Sequence, residues 1–271
     1  MKYSILALDI DGTLTNSNKI ITPKTLAAVE KVIDAGGKVI LSSGRPVIGI
    51  KPIAEQLLLN TKGGYILAYN GAEIIDCKTG KSILKKMLSK ETYSTICSIA
   101  RKYGVNALTY DDTSILAESD DAKYVIKEAA NNGLNIKKVK NLEKAISGPV
   151  FKFMIVGEPD NLLVAKKELE GLIGDVVSIF FSEPYFLEIT PKNIKKDLSL
   201  EYLISFLGKT RDELMCIGDG LNDIPMFQIS GFAVAMENAY PETKKYADAI
   251  TLSNDNDGVA YAIDKYWFFS K

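Results

Sequence analysis

The run Ser4-Ile5-Leu6-Ala7-Leu8-Asp9-Ile10-Asp11-Gly12-Thr13 passes within ten residues from apolar to acidic. Four consecutive apolar side chains without alternation suit a strand buried on both faces, the habit of parallel sheets. Gly12 opens a loop directly afterwards, so the two acids stand at the carboxyl end of that strand, where open parallel sheets bind their ligands.

Reading outward, Thr22-Pro23 supplies a helix cap and a first-turn proline, and Leu26, Val29 and Ile33 recur at helical spacing until Gly36-Gly37. A second buried strand is expected at 38–41, a helix over 47–58 and a third strand at 65–68, which makes a βαβαβ series with right-handed crossovers. Asn70-Gly71 marks a turn, and 72–75 with 82–84 forms a hairpin around Lys78-Thr79-Gly80-Lys81. Beyond it the texture changes to short strands at 105–110, 114–117, 150–156 and 176–181, separated by helices around 91–102, 121–132 and 160–172. The parallel pattern resumes with a helix at 195–207 and a strand at 214–217. The expected fold is therefore α/β, a Rossmann-like doubly wound parallel-sheet core formed by residues 1–83 and 187–271, with an α+β domain inserted at 84–186. Hinges are expected near Leu84 and at 185–189.

Composition narrows the function. The 271 residues are 46% hydrophobic and 25% charged, enough to bury a sizeable core. Formal net charge is −1, and the richest basic stretch, Lys137 to Lys140, is interrupted by Val139, so nucleic acid is not an expected partner. No charged leader precedes an apolar segment and no apolar run has membrane-spanning length, so a cytoplasmic protein, a monomer or small homo-oligomer without a membrane partner, is expected. Histidine is absent, which excludes Ser-His-Asp and Cys-His catalysis and every imidazole-held metal. Cys77, Cys97 and Cys216 lack any C-x-x-C spacing and read as free thiols.

Catalysis is thereby left to carboxylates, Lys, Ser/Thr or a bound metal. Asp9 and Asp11 have a counterpart in Asp219 and Asp223 of Gly218-Asp219-Gly220-Leu221-Asn222-Asp223, which also follows an apolar strand. If those strands are neighbours, the carboxylates converge and repel one another unless a cation neutralises them. Oxygen-only ligation with room for water and phosphate suits Mg2+ better than a dedicated Ca2+ cage.

Asp9-Ile10-Asp11-Gly12-Thr13 resembles the DxDGT signature of the haloacid dehalogenase superfamily. Ser43-Gly44-Arg45-Pro46, Lys196 at a helix start and the GDGxND segment 218–223 follow in the order of that pattern, and the inserted domain resembles the cap of the Cof-type phosphatase branch. The resemblance implies a phosphatase acting on a small phosphorylated metabolite such as a sugar phosphate. Carried over, Asp9 is the nucleophile and Asp11 the general acid and base. Mg2+ is held by Asp9, the backbone carbonyl of Asp11 and Asp219, with Asp223 orienting the set. Ser43, the Gly44 and Ile10 amides, Asn222 and Lys196 cradle the phosphate.

Four assignments stay open within that resemblance. Members commonly carry Gly after the motif lysine where this chain has Asp197, and Lys195 and Lys192 are alternatives to Lys196. Arg45 either orients the phosphate or pairs with a neighbouring acid, and Asn70-Gly71 is either a turn or a substrate contact. Lys152 either faces the substrate or reflects strand alternation. The inserted domain is expected to choose the leaving group. Rival functions are a phosphomutase of the phosphomannomutase type and a non-catalytic phosphate-binding regulator.

Overall fold

A computed structural model describes residues 2–268. The chain divides into two compact units, Met1–Leu84 with Lys195–Lys271 and, between them, Lys85–Ile194.

In chain order the first unit begins with β1 (Ile5–Leu8), α1 (Pro23–Asp34), β2 (Lys38–Ser42), α2 (Val47–Gln56), α3 (Leu59–Lys62), β3 (Tyr65–Ala68), β4 (Glu73–Asp76) and β5 (Ser82–Lys85). The helix expected over 47–58 breaks because Leu58 adopts φ 57°, a left-handed conformation that ends α2 and caps α3. The second unit carries α4 (Glu91–Lys102), β6 (Asn106–Tyr110), β7 (Ser114–Ala117), α5 (Lys123–Asn132), β8 (Asn135–Lys138), α6 (Leu142–Ala145), β9 (Phe153–Val156), α7 (Pro159–Ile173), β10 (Val177–Glu183) and β11 (Phe186–Pro191). The chain then returns to the first unit as α8 (Lys196–Phe206), β12 (Leu214–Gly218), α9 (Ile224–Gln228), β13 (Phe232–Ala235), α10 (Pro241–Lys244), β14 (Ala249–Ile250) and α11 (Gly258–Ala262).

The first unit is built on an eight-stranded sheet of order β14-β13-β12-β1-β2-β3-β4-β5. Strands β1, β2, β3, β12, β13 and β14 run parallel, and β4 turns back antiparallel along β3. The chain runs outward from β1 through β2 and β3, then returns to β12 on the other side and continues through β13 to β14. The order therefore reverses between β1 and β12, the switch point at which a doubly wound sheet opens a crevice. Leu8 pairs with Ile217, and the Asp9 amide donates to the Ile217 carbonyl at 3.0 Å, so Asp9 and Gly218 emerge side by side. Every residue of β1 is buried.

The second unit is a six-stranded sheet of order β10-β11-β9-β6-β7-β8. Its alternation sends Ala107, Phe153, Ile155, Leu187 and Ile189 into a core with Ile96, Cys97, Leu162 and Leu169 of α4 and α7. The second domain boundary needs correcting from 186/187. Strand β11 pairs antiparallel with β10 on one side and with β9 on the other, so 186–191 is the interior of this sheet and not a hinge. Pro184 sits in the β10–β11 turn and Pro191 at the end of β11.

Candidate active site

Position 12 has to be glycine for two separate reasons. Its φ is +80°, and a Cβ there would lie 2.4 Å from Oδ2 of Asp219. The loop after β1 can thus fold against the loop after β12 only where a side chain is missing. The Ile10 carbonyl accepts from the amide and hydroxyl of Thr15, both at 3.0 Å, and Thr13 Oγ1 donates to Asp219 Oδ1 at 2.6 Å. Ile10 itself is fully buried.

Of the three lysines, Lys196, the first residue of α8, is the one brought to Asp9. It is 1% exposed and its ammonium donates to Asp9 Oδ1 at 2.6 Å, to Asp223 Oδ1 at 2.7 Å and to the Ser42 carbonyl at 3.0 Å. An ammonium has three hydrogens, and all three are used. Lys195 is the exposed N-cap of the helix, and Lys192 donates to the Gly174 carbonyl at 2.5 Å. Asp197 occupies the first turn of α8, where a carboxylate is favoured by the helix dipole.

Asp9, Asp219 and Asp223 each offer an oxygen within 4.8 Å of the others. Burial, then repulsion by Asp223 and Asp219, pushes the Asp9 carboxyl well above its ordinary value against the opposing pull of Lys196. Burial raises Asp219 to about 6, with Asp223 and Asp11 adding repulsion and Thr13 and Lys196 resisting. Lys196 is held above its ordinary value because Asp223 and Asp9 outweigh the burial that would depress it. One ammonium does not neutralise three carboxylates, so the donor set fits a hard cation.

The carboxylates are not equivalent. Asp223, fully buried, accepts the Asp219 and Gly220 amides on Oδ2, both at 2.9 Å, and Lys196 on Oδ1, so its bonds brace the 218–223 turn. Asp9 gives Oδ1 to Lys196, whereas among the described residues no donor engages Oδ2. Asp11 stands apart from this cluster. Arg45 grips it with Nε on Oδ2 at 2.6 Å and Nη2 on Oδ1 at 2.7 Å, and Lys19 reaches Oδ1 at 2.6 Å. Burial would raise the Asp11 carboxyl, but these two cations hold it below the ordinary value. Of the two roles open to Arg45, the structure shows the pairing with an acid.

Ser43 and Gly44 follow β2. Ser43 is buried, its amide donates to the Leu67 carbonyl at 3.0 Å, and its Oγ accepts the Arg45 amide at 3.1 Å. Asn222 is exposed and donates to Asn70 Oδ1 at 3.4 Å. The sequence reading missed Thr13 and Lys19 as members of the site. Thr13 lay within the quoted motif, whereas Lys19 carries no signal beyond being a lysine.

The sequence matches the haloacid dehalogenase-like hydrolases over residues 6–263, and the chain belongs to that family. It is a phosphoric monoester hydrolase. A solved haloacid dehalogenase-like hydrolase from Bacteroides thetaiotaomicron is 41% identical, covers 97% of this chain and 99% of its own, and superposes with a TM-score of 0.95. A Bacillus subtilis 5-amino-6-(5-phospho-D-ribitylamino)uracil phosphatase is 28% identical over 96% of both chains. The structure of a subclass IIB sugar phosphatase, at 24% identity and a TM-score of 0.81 over 97% of this chain and 99% of its own, shares the fold. Among the described residues no helix is long and apolar enough to cross a membrane.

Proposed function

We propose that the protein is a Mg2+-dependent phosphatase that hydrolyses a small phosphomonoester, a sugar phosphate or similar polyol phosphate, through an aspartyl-phosphate on Asp9. The observation that carries this reading is the crevice between β1 and β12, where Asp9 has one oxygen held by Lys196 and the other uncommitted. Oδ2 attacks phosphorus as the bond to the leaving alcohol breaks. Asp11 delivers a proton to the departing oxygen, later takes one from water, and the water's oxygen displaces Asp9 to release phosphate. Its ion pairs with Arg45 and Lys19 favour the carboxylate needed in the second half, and a bound phosphate dianion pushes the other way. Ser43, Gly44, Ile10 and Asn222 are proposed to bind the phosphoryl oxygens, and Lys196 to join them by giving up one of its three present acceptors. Mg2+, held by Asp9, Asp219 and the backbone carbonyl of Asp11, would offset the carboxylate repulsion and shield the nucleophile from the dianion.

The sugar preference is supported by the named activities of relatives that dephosphorylate a ribityl compound or a sugar. The test is phosphate release across a panel of sugar, nucleotide and cofactor phosphates, with Mg2+ and with a chelator. Mg2+-dependent free phosphate from sugar phosphates is expected. Appearance of an isomer without free phosphate would show a phosphomutase, and turnover undiminished by chelator would exclude the metal.

A further inference from the structure

The segment between β3 and β4 follows a costly path. Tyr69, Asn70 and Gly71 have φ of 52°, 56° and 104° in succession. Left-handed backbone suits glycine and is tolerated by asparagine, but a tyrosine resists it. The path is enforced from two sides. The Ser43 amide donates to the Leu67 carbonyl, the Tyr69 amide to the Arg45 carbonyl and the Asn70 amide to the Ser43 carbonyl, each at 3.0 Å. From α8, Ser199 Oγ donates to the Gly71 carbonyl at 2.7 Å, on the helix that begins with Lys196.

The backbone alone does not explain the carboxamide of Asn70, because glycine would meet the same φ without it. That carboxamide lies against Gly44, where a Cβ would come within 3.2 Å of its Nδ2 and 3.3 Å of its Oδ1. Its Oδ1 accepts from Asn222 Nδ2 at 3.4 Å. Among the described residues no acceptor takes the Asn70 Nδ2 hydrogens. The side chain therefore joins Gly44 to Asn222, and its donor stands between two members of the proposed phosphate cradle.

We infer that Asn70 is a further phosphoryl-binding residue, holding Asn222 through Oδ1 and donating from Nδ2 to an oxygen of the bound phosphoryl group. This rests on the reading of Ser43, Gly44 and Asn222 as that cradle. A neutral donor here adds to the charge of Lys196 without pairing with the carboxylates, as a second lysine would.

The test uses the full chain with Mg2+, p-nitrophenyl phosphate as substrate and inorganic phosphate as competitor. Asn70→Gly keeps the backbone conformation and removes only the carboxamide. It is expected to raise KM and the phosphate inhibition constant by about tenfold or more, the scale of a hydrogen bond to a charged group, with the thermal midpoint unchanged or higher. A smaller rise, or one that merely tracks a fall in thermal midpoint, overturns the proposal. Asn70→Asp retains the shape but sets an anion beside the phosphate, and is expected to weaken phosphate further than Asn70→Gly does; equal or tighter binding also overturns it. Ser43→Ala and Asn222→Ala separate the two levels. If both leave the phosphate constant unchanged, the cradle reading has failed and takes the proposal down with it. If they weaken phosphate while Asn70→Gly does not, only the assignment of Asn70 falls.

Discussion

Each of the two units buries a lysine among carboxylates, and the two clusters are built to different standards. In the first, Lys196 meets three acceptors within 3.0 Å, and both oxygens of Asp223 are fully used. In the second, Lys152 is 3% exposed, and its ammonium stands 3.5 Å from Glu188 Oε1 and 5.6 Å from the centre of the Tyr110 ring. Among the described residues, Glu188 Oε2, Thr190 Oγ1 and Asn132 Oδ1 are buried without a hydrogen-bond partner. Buried polar groups are costly unless paired, so the short lysine–carboxylate contacts of the first cluster, 2.6 and 2.7 Å, fix one frame around the uncommitted Oδ2 of Asp9, whereas the second joins its lysine to Glu188 at 3.5 Å. A nucleophile needs the former, since small displacements of a reacting oxygen are expensive in rate.

The sharpest way to break this contrast is Asp9→Asn. Turnover is expected to fall by about a thousandfold or more, because the amide neither attacks phosphorus nor completes the anionic set. The fold is expected to survive, and the metal-free thermal midpoint to hold or rise, since the change removes a carboxylate that burial and its neighbours already disfavour. Mg2+-dependent phosphate release at the wild-type rate would remove Asp9 from the nucleophile's role.

Next in size is the exchange of each buried lysine for methionine. Lys196→Met strands Asp9 and Asp223 without their shared cation and is expected to cost about 3–5 kcal/mol. Lys152→Met also removes a buried cation, and is expected to cost less than Lys196→Met because its contact to Glu188, 3.5 Å, is longer than those of Lys196 to Asp9 and Asp223. Urea unfolding of the two variants measures both, and equal losses, or the reverse order, would end the comparison.

Mg2+ itself should distinguish the clusters. Asp219, raised to about 6 from an ordinary 3.8, keeps a proton in the folded state that the unfolded chain has already released. Across that window the cation-free fold loses stability as pH rises, and a divalent ion that takes the proton's place restores it. Thermal midpoints with and without Mg2+ should separate at pH 7.5, by the equivalent of about 2.7 kcal/mol at a hundredfold excess over Kd, and converge towards pH 5. Asp219→Asn should shrink the separation at pH 7.5. An unchanged separation at both pH values would place the ion elsewhere.

How far this was legible from the sequence follows from how local each signal is. Strands β1, β2 and β3 carry continuous apolar runs, α1 starts at a Thr22 cap followed by a first-turn proline, and Asp9, Asp219 and Lys196 sit at the ends of such elements. Strand β8, Asn135-Ile136-Lys137-Lys138, is a mostly exposed edge with no apolar face to betray it. Strand β11, Phe186–Pro191, went unassigned although all six of its residues are buried, because Glu188 and Thr190 interrupt its apolar run. In the site, Asp11 and Arg45 were visible as candidates, but their pairing depends on a contact 34 residues apart that no spacing rule reports. The same holds for Asn70, whose partner Asn222 lies 152 residues away.

The smallest expected effect concerns Glu128, the second carboxylate of the Lys152 cluster. Burial raises its pKa from the ordinary 4.5, Glu188 adds to the rise, and Lys152 with the hydrogen bonds from Tyr110 and Asn132 pull against it. A raised acid holds its proton in the folded state after the unfolded chain has lost it, so its contribution to stability is most favourable below pH 4.5 and declines as pH climbs through the folded value. Glutamine keeps the Oε1 that accepts Tyr110 Oη at 2.5 Å and Asn132 Nδ2 at 2.8 Å, and has no charge to desolvate. The stability of Glu128→Gln relative to wild type is therefore expected to improve between pH 4.5 and pH 8, read from urea midpoints at matched ionic strength. A difference that stays flat or moves the other way would mean that Lys152 neutralises this carboxylate as fully as Lys196 does Asp223, and the two clusters would then be alike.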